Sequence, residues 1–340
     1  MKKSKVGFSI IGAGIVAPLH AAAINATPEA ELISVVDTFE ENARKLQKEY
    51  KSLHSYTSFQ ECLEDTDVDV VIICTPSGTH GDLTIEAARA GKHVLCEKPL
   101  EINASKMTKM IETCEENNVK LGTVYPRRTI ASTVKAKQML EKQVFGRITL
   151  ADVHLKFYRS QSYYDSAGWR GTWEMDGGGA LMNQGIHGID VIQWLNGGVK
   201  KVFARTATMA RNIEVEDTAV AVLEYNNGAF GLIEGSTTVY PGQKTRFEIY
   251  GDKGTVIFSD KGIEKCERLY GEDGDFEYVK ANDNIPQDIP SPGHYRYVYD
   301  MTHAVLQDKD PLVTGIEARK AVDIILAIYD SSKKGKEIFL

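Results

Sequence analysis

The first 125 residues alternate short apolar runs with longer amphipathic ones, and this alternation constrains the fold more than any other feature. Residues 5–11 (KVGFSII) are β-rich and lead through GAGIVA into a helical pattern reaching Asn25. Residues 31–37 (ELISVVD) read as a second strand and 69–75 (DVVIICT) as the next clear one, with a charged helical stretch between them. A helix over 79–90, a strand over 93–98, a helix over 103–118 and the run 120–125 (KLGTVY) follow. Strands that alternate with helices in this way form βαβ units, and those build a parallel sheet.

The first strand-to-helix turn carries Gly12, Gly14 and Ala17 in the pattern G-x-G-x-x-A. Gly12 permits a tight turn, Gly14 lets the backbone approach a pyrophosphate, and Ala17 lets the helix pack close to the sheet. Ile15 and Val16 complete the turn, and the helix start offers unpaired N–H groups and a partial positive charge to phosphates. Asp37 closes the second strand, 20 residues beyond Ala17. A carboxylate there accepts hydrogen bonds from both adenosine ribose hydroxyls and repels a 2′-phosphate; no Arg or Lys follows until Arg44. The expected cofactor is NAD, with NADP left open.

After Tyr125 the pattern changes. A helix over 129–143 precedes a long β-rich run (GRITLADVHLKFYR). Further strand-like runs (KVFARTATMA, TAVAVLEY, AFGLIEGSTTV, TRFEIYG, TVIFSD) are punctuated by NNG and two DKG turns. A polar loop over 271–293 then leads to helices over 294–307 and 317–333. The fold class expected is α/β: a Rossmann-type doubly wound parallel sheet over 1–124, then an α/β domain over 125–340 with a large open, mainly antiparallel sheet. The open face suits a second copy, so a homodimer or homotetramer is expected.

Composition excludes several classes. The net charge of −7, with no Lys/Arg run, argues against nucleic acid as a partner. No segment approaches the roughly 18 apolar residues a membrane span needs. The five cysteines are scattered without a C-x-x-C pair, which points to reduced thiols in a cytoplasmic protein and not to a disulfide frame or a metal site.

Two further stretches carry chemistry. Residues 96–100 (CEKPL) end the strand over 93–98, and ligands of open α/β sheets bind beyond the carboxyl ends of strands. Lys98 is thereby expected near the nicotinamide, where its ammonium can stabilise an alkoxide as hydride leaves. On position alone, a surface lysine at a strand end is an equal reading. Residues 176–190 (DGGGALMNQGIHGID) put three glycines before an amphipathic helix. A helix starting near Ala180 sets Asn183, His187, Asp190 and Trp194 on one face, and Leu181, Gly185, Gly188, Ile192 and Leu195 on another. A core histidine is the plainer reading of His187; Asp190 and Trp194 read as structural.

G-x-G-x-x-A, TPSGTH (75–80), EKP and the GGGALMNQGIHGID helix occur in that order, and the whole chain resembles the Gfo/Idh/MocA oxidoreductases. The resemblance implies hydride transfer between a nicotinamide and a hydroxyl carbon of a sugar, sugar acid, cyclitol or nucleotide sugar. It implies that Thr75, Pro76, His80, Glu97 and Lys98 lie along the cofactor or at the reaction centre. The family helix usually carries D-x-x-x-H, matched here by Asn183 and His187. The resemblance thus implies His187 as general base with Lys98 supporting the oxyanion, or the reverse, and Asn183 as an orienting group. The aromatic and Arg-rich run 158–176 reads as a substrate collar, with Arg159, Tyr163, Trp169 and Arg170, and Arg127 lies where family members contact substrate. The run from Trp169 to His187 resembles the branch containing UDP-N-acetylglucosaminuronate 3-dehydrogenases. Two alternatives stay open: a dinucleotide-sensing regulator without catalysis, and a reductase of a keto-sugar or cyclic imine that uses NADPH.

Overall fold

The computed structural model describes residues 4–269 and 285–340, which form two compact units. The loop expected over 271–293 lies outside the described residues as far as 284.

The first unit is built on six strands: β1 (Val6–Ile11), β2 (Ala30–Val36), β3 (His54–Tyr56), β4 (Val70–Ile73), β5 (His93–Cys96) and β6 (Leu121–Thr123). All neighbours pair in parallel, in the order β3-β2-β1-β4-β5-β6. Every residue of β1 and β4 is buried. That explains why these runs, Ser9 apart, read as apolar instead of alternating: helices cover both faces of the sheet. Crossover helices Ala17–Ala26, Glu40–Tyr50, His80–Arg89 and Ala104–Glu116 supply the cover. Asn103 caps the last of these, its side chain accepting from the Ser105 and Lys106 backbone N–H groups. The sequence reading missed β3, which is three polar residues long and partly exposed at the sheet edge.

The first unit runs to Pro126 and takes back a later segment ending at Arg319. This differs from the expected 125–340 second domain. Helix Pro292–Gln307 packs on helix Ala17–Ala26 and on β1. It buries Tyr295, Tyr297, Val298, Met301 and Ala304, and the Tyr297 hydroxyl donates to the Tyr125 carbonyl at 2.9 Å. A helix over 294–307 was legible; which sheet it would cover was not, because helix periodicity carries no address.

The second unit holds an eight-stranded sheet: β7 (Ile148–Lys156), β8 (Val199–Ala207), β9 (Thr218–Tyr225), β10 (Phe230–Ser236), β11 (Arg246–Gly251), β12 (Gly254–Ser259), β13 (Gly262–Arg268) and β14 (Ile338–Phe339). The order is β13-β12-β11-β7-β10-β9-β8-β14, antiparallel except where β10 pairs with β7. Alternate residues such as Val153, Leu155, Ala221, Leu223, Phe247 and Ile249 point to a buried face. Helices Ala131–Glu141 and Ile186–Asn196 cover it. On the other face Phe203, Val222 and Phe230 are exposed. Among the described residues there is no disulfide, and no helix is long and apolar enough to cross a membrane.

Candidate functional site

In the first unit the strand order reverses between β1 and β4, so the turns that follow these strands open on the crevice where dinucleotides bind in such sheets. Gly12 has φ +92° and lies so close to the Cys74 carbonyl that an added Cβ would sit 3.0 Å from its oxygen. Only glycine meets both demands. Nothing lies within 4 Å of where a Cβ on Gly14 would point, which leaves the open approach a pyrophosphate needs. Ala17 is fully buried at the helix start, whereas Ile15 is 86% exposed. Asp37 is fixed by its neighbours: Oδ2 accepts from the Ala13 N–H at 2.8 Å and Oδ1 from the Phe39 N–H at 2.9 Å. The remaining lone pairs suit a ribose diol, so the residues present fit NAD. Once bound, that cofactor supplies the hydride acceptor.

The ends of β4 and β5 are braced by side chains turned inward. Thr75 and Thr79 share a hydroxyl contact of 2.7 Å, and the Thr79 hydroxyl donates to the Pro76 carbonyl. His80 was expected along the cofactor. Its ring is buried, with Nδ1 2.8 Å from the Pro99 carbonyl and Nε2 2.9 Å from the Thr75 carbonyl. It therefore ties the two strand-end loops together. Burial lowers its pKa against the pull of the two carbonyls. Glu97 is also buried, and its Oε1 faces His20 Nε2 at 2.8 Å and His294 Nε2 at 3.3 Å. Burial acts to raise this carboxyl, but the hydrogen bonds from the two imidazoles outweigh it and hold the group well below the usual range. These three residues are a hydrogen-bonded triad that anchors the residue preceding Lys98. His20 and His294 escaped the sequence reading, because nothing in their local context separates them from helix-surface histidines. Lys98 follows the end of β5 and is half-buried, with a cis bond to Pro99.

In the second unit the glycine run ends in a π-helical turn over Ala180–Gly185, continued by the α-helix Ile186–Asn196. The sequence reading expected a regular α-helix from Ala180; the wide turn is a common device at functional positions. A Cβ on Gly179 would overlap the Glu216 carbonyl oxygen, so the loop passes directly against that strand entry. Glu216, 3% exposed, receives the Gly179 N–H on Oε2 at 3.0 Å and the Leu181 N–H on Oε1 at 2.8 Å. Tyr329 donates to the same Oε1 at 2.9 Å. Burial raises the Glu216 pKa to about 7 despite these donors. Gly188 packs against Leu155 and Val153 of β7, as the small-residue face predicts.

Asn183 and His187 are half-buried on this helix. Asp190, one turn on, is instead locked in a buried bidentate pair with Arg128 at 2.6 and 2.8 Å, and Trp194 stacks under the same guanidinium at 5.0 Å. Both are structural. Tyr163 lies between two guanidinium groups, Arg170 at 4.4 Å and Arg159 at 5.3 Å from its ring, and Arg170 also covers Trp169 at 4.7 Å. Arg170 Nη1 donates to the Tyr163 hydroxyl at 2.5 Å, and its Nε is buried without a hydrogen-bond partner. Arg127 is held by Thr245 at 2.6 Å and by Asp260 at 3.0 Å. The collar therefore gathers Arg159, Tyr163, Trp169 and Arg170, while Arg127 has protein partners of its own.

Residues 6–125 match the model of an oxidoreductase family with an NAD-binding Rossmann fold, and 133–257 match the GFO/IDH/MocA C-terminal domain. A myo-inositol 2-dehydrogenase of Thermotoga maritima is 31% identical over 78% of this chain and 78% of its own. A scyllo-inositol 2-dehydrogenase (NAD(+)) of Bacillus subtilis is 26% identical over 99% and 96%. The WlbA dehydrogenase of Bordetella pertussis, solved with NADH and UDP-GlcNAcA, superposes with a TM-score of 0.90 at 32% identity over 100% of this chain and 99% of that one. With the glycine turn, Asp37, the EKP strand end and the glycine-run helix in place, the chain belongs to the Gfo/Idh/MocA family of NAD-binding oxidoreductases.

Proposed function

We propose that this enzyme oxidises a secondary hydroxyl of a nucleotide-linked sugar acid and passes the hydride to NAD. The observation that carries the substrate class is the Arg159–Tyr163–Arg170 stack. It sets two permanent positive charges within the segment that leads into the Asn183–His187 helix. Guanidinium groups are suited to carboxylate and phosphate. A neutral cyclitol carries no charge to meet them. The likeness to a dehydrogenase solved with UDP-GlcNAcA supports the same reading.

In this reading His187 accepts the hydroxyl proton and Lys98 stabilises the alkoxide as hydride departs. The triad behind Glu97 keeps the Lys98 segment in place. The bare face of the second sheet, with Phe203 directly opposite Val222 and Phe230 opposite Glu224, is covered by a second copy in solution. The test is NADH formation from NAD with UDP-N-acetylglucosaminuronate, UDP-N-acetylglucosamine, myo-inositol and scyllo-inositol. Turnover confined to the acidic nucleotide sugar, and lost in K98A and H187A, is expected. Turnover of an inositol with none of the UDP sugar acid overturns the substrate class; bound NAD without turnover of any compound favours a sensor.

A further inference from the structure

We propose that Asp176 is a positioning residue for hydride transfer: through a directed hydrogen-bond chain it sets which amide atom Asn183 presents on the His187 helix. The inference rests on the functional reading above. The chain begins at Arg159, whose guanidinium only donates, and ends at Asp176, whose carboxylate only accepts. Arg159 Nη2 donates to Gln184 Oε1 at 2.7 Å. That fixes the Gln184 amide, so its Nε2 donates to Asn183 Oδ1 at 3.0 Å and to the Tyr163 hydroxyl at 3.0 Å. Asn183 Nδ2 in turn donates to Asp176 Oδ1 at 2.5 Å.

An asparagine or glutamine amide has no intrinsic preference between its two orientations; the surrounding network decides. Here both ends of the network have fixed polarity. Reversing either amide sets donor against donor at one link and acceptor against acceptor at the other. Asp176 is itself immobile, being 2% exposed with Oδ2 accepting the Gly171 N–H at 2.8 Å. A bond to a buried carboxylate is short and charge-assisted, and it draws amide electron density toward Oδ1. Oδ1 thereby becomes a stronger acceptor for a substrate hydroxyl or an imidazole N–H than a solvent-exposed asparagine would offer. The two uncharged residues of the helix gain a carboxylate's influence from behind.

The test compares the wild type with D176N, with N183D and with the double variant that exchanges the two side chains. In D176N the new amide must meet the Gly171 N–H with its carbonyl, so its NH2 group confronts Asn183 Nδ2. Losing a bond to a charged group corresponds to a fall of about 10- to 100-fold in kcat, with KM for the sugar changed by less than about 3-fold. N183D brings two carboxylates together, one of which must hold a proton, so its kcat maximum moves to lower pH. The exchange restores every link: the amide at 176 donates to the carboxylate at 183, accepts from Gly171, and Gln184 donates as before. Recovery to within about 5-fold of the wild-type kcat is expected. Unchanged kcat in D176N, or a double variant no faster than D176N, overturns the inference. Should D176N not fold, the double variant alone decides by the same 5-fold criterion. A wild type inactive on every sugar would sink the functional reading instead. In that case the side-chain amide signals of Asn183 and Gln184 still decide: downfield protons that return upfield in D176N support the chain, and values of solvated amides overturn it.

Discussion

Glu216 offers a quantitative test of what holds the glycine run in place. Its carboxyl is buried and its pKa is pushed up to about 7, against an ordinary 4.5. Burial raises it, and the Gly179, Leu181 and Tyr329 donors lower it by less. The folded protein therefore binds a proton at Glu216 over a range where the unfolded chain has released it. A raised folded pKa makes a contribution that is fully present below the unfolded pKa and lost as pH rises through the folded one. Integrating a shift from 4.5 to 7 gives a loss of about 2.5 kcal/mol between pH 5 and pH 8. Glu216→Gln removes the titrating group while keeping its size. The amide cannot accept from all three donors, so this variant is less stable than wild type by about 1–3 kcal/mol at pH 5. The difference then shrinks by about 2.5 kcal/mol as pH reaches 8, which corresponds to roughly 5–10 °C in melting temperature for a unit of this size. The assay is thermal unfolding of both proteins in saturating NADH at half-unit pH steps. NADH keeps the nucleotide unit folded, and every other titrating group cancels in the difference. A gap that stays constant to about 0.5 kcal/mol, or that widens with pH, would show that the three donors outweigh burial, and the reasoning fails.

Two further outcomes are expected. Asp37→Ala removes the acceptor for the Ala13 and Phe39 N–H groups as well as for the ribose, so KM for NAD rises by about 10- to 100-fold with kcat little changed, read by initial rates at saturating sugar. Arg128→Met removes the bidentate partner of the buried Asp190 carboxylate and destabilises by about 3–5 kcal/mol in urea unfolding, whereas adding Asp190→Leu recovers most of that loss.

The parallel sheet was legible because its signals are local and redundant. β4 is apolar throughout and β1 is apolar but for Ser9, and the glycine turn follows β1 immediately, so two independent features name the same crossover. Asp37 was legible for the same reason, standing at a fixed distance from that turn. His187 and Asn183 were singled out through the glycines before them. What stayed hidden is long-range. Glu97 reads as one residue of a strand end, yet its state depends on His20 and on His294, nearly 200 positions away in the chain. Glu216 and Asp176 look like ordinary acidic residues of loops, and only tertiary contact shows that both are buried. The helix Pro292–Gln307 shows the same gap at the level of architecture: its stripe predicts that it is buried, not against what.

The glycine run shows why such hidden acids arise where they do. Three consecutive glycines give a loop little conformational preference, and ordering each one costs more backbone entropy than ordering any other residue. A helix that begins there inherits that looseness unless something outside the segment fixes it. Two carboxylates from opposite sides do so. Glu216 holds the backbone at the end of the run, at Gly179 and Leu181, and Asp176 holds the side chain of Asn183. The Glu216 carboxylate takes the part that a capping side chain plays at a conventional helix start, accepting backbone N–H groups that glycine has no side chain to meet. Among the described residues, Gly179 at the helix start makes no side-chain cap bond. The looseness of the glycines and the burial of the two acids are thus one arrangement: the first lets the chain pass close to β9, and the second makes that approach rigid enough to aim the residues that follow.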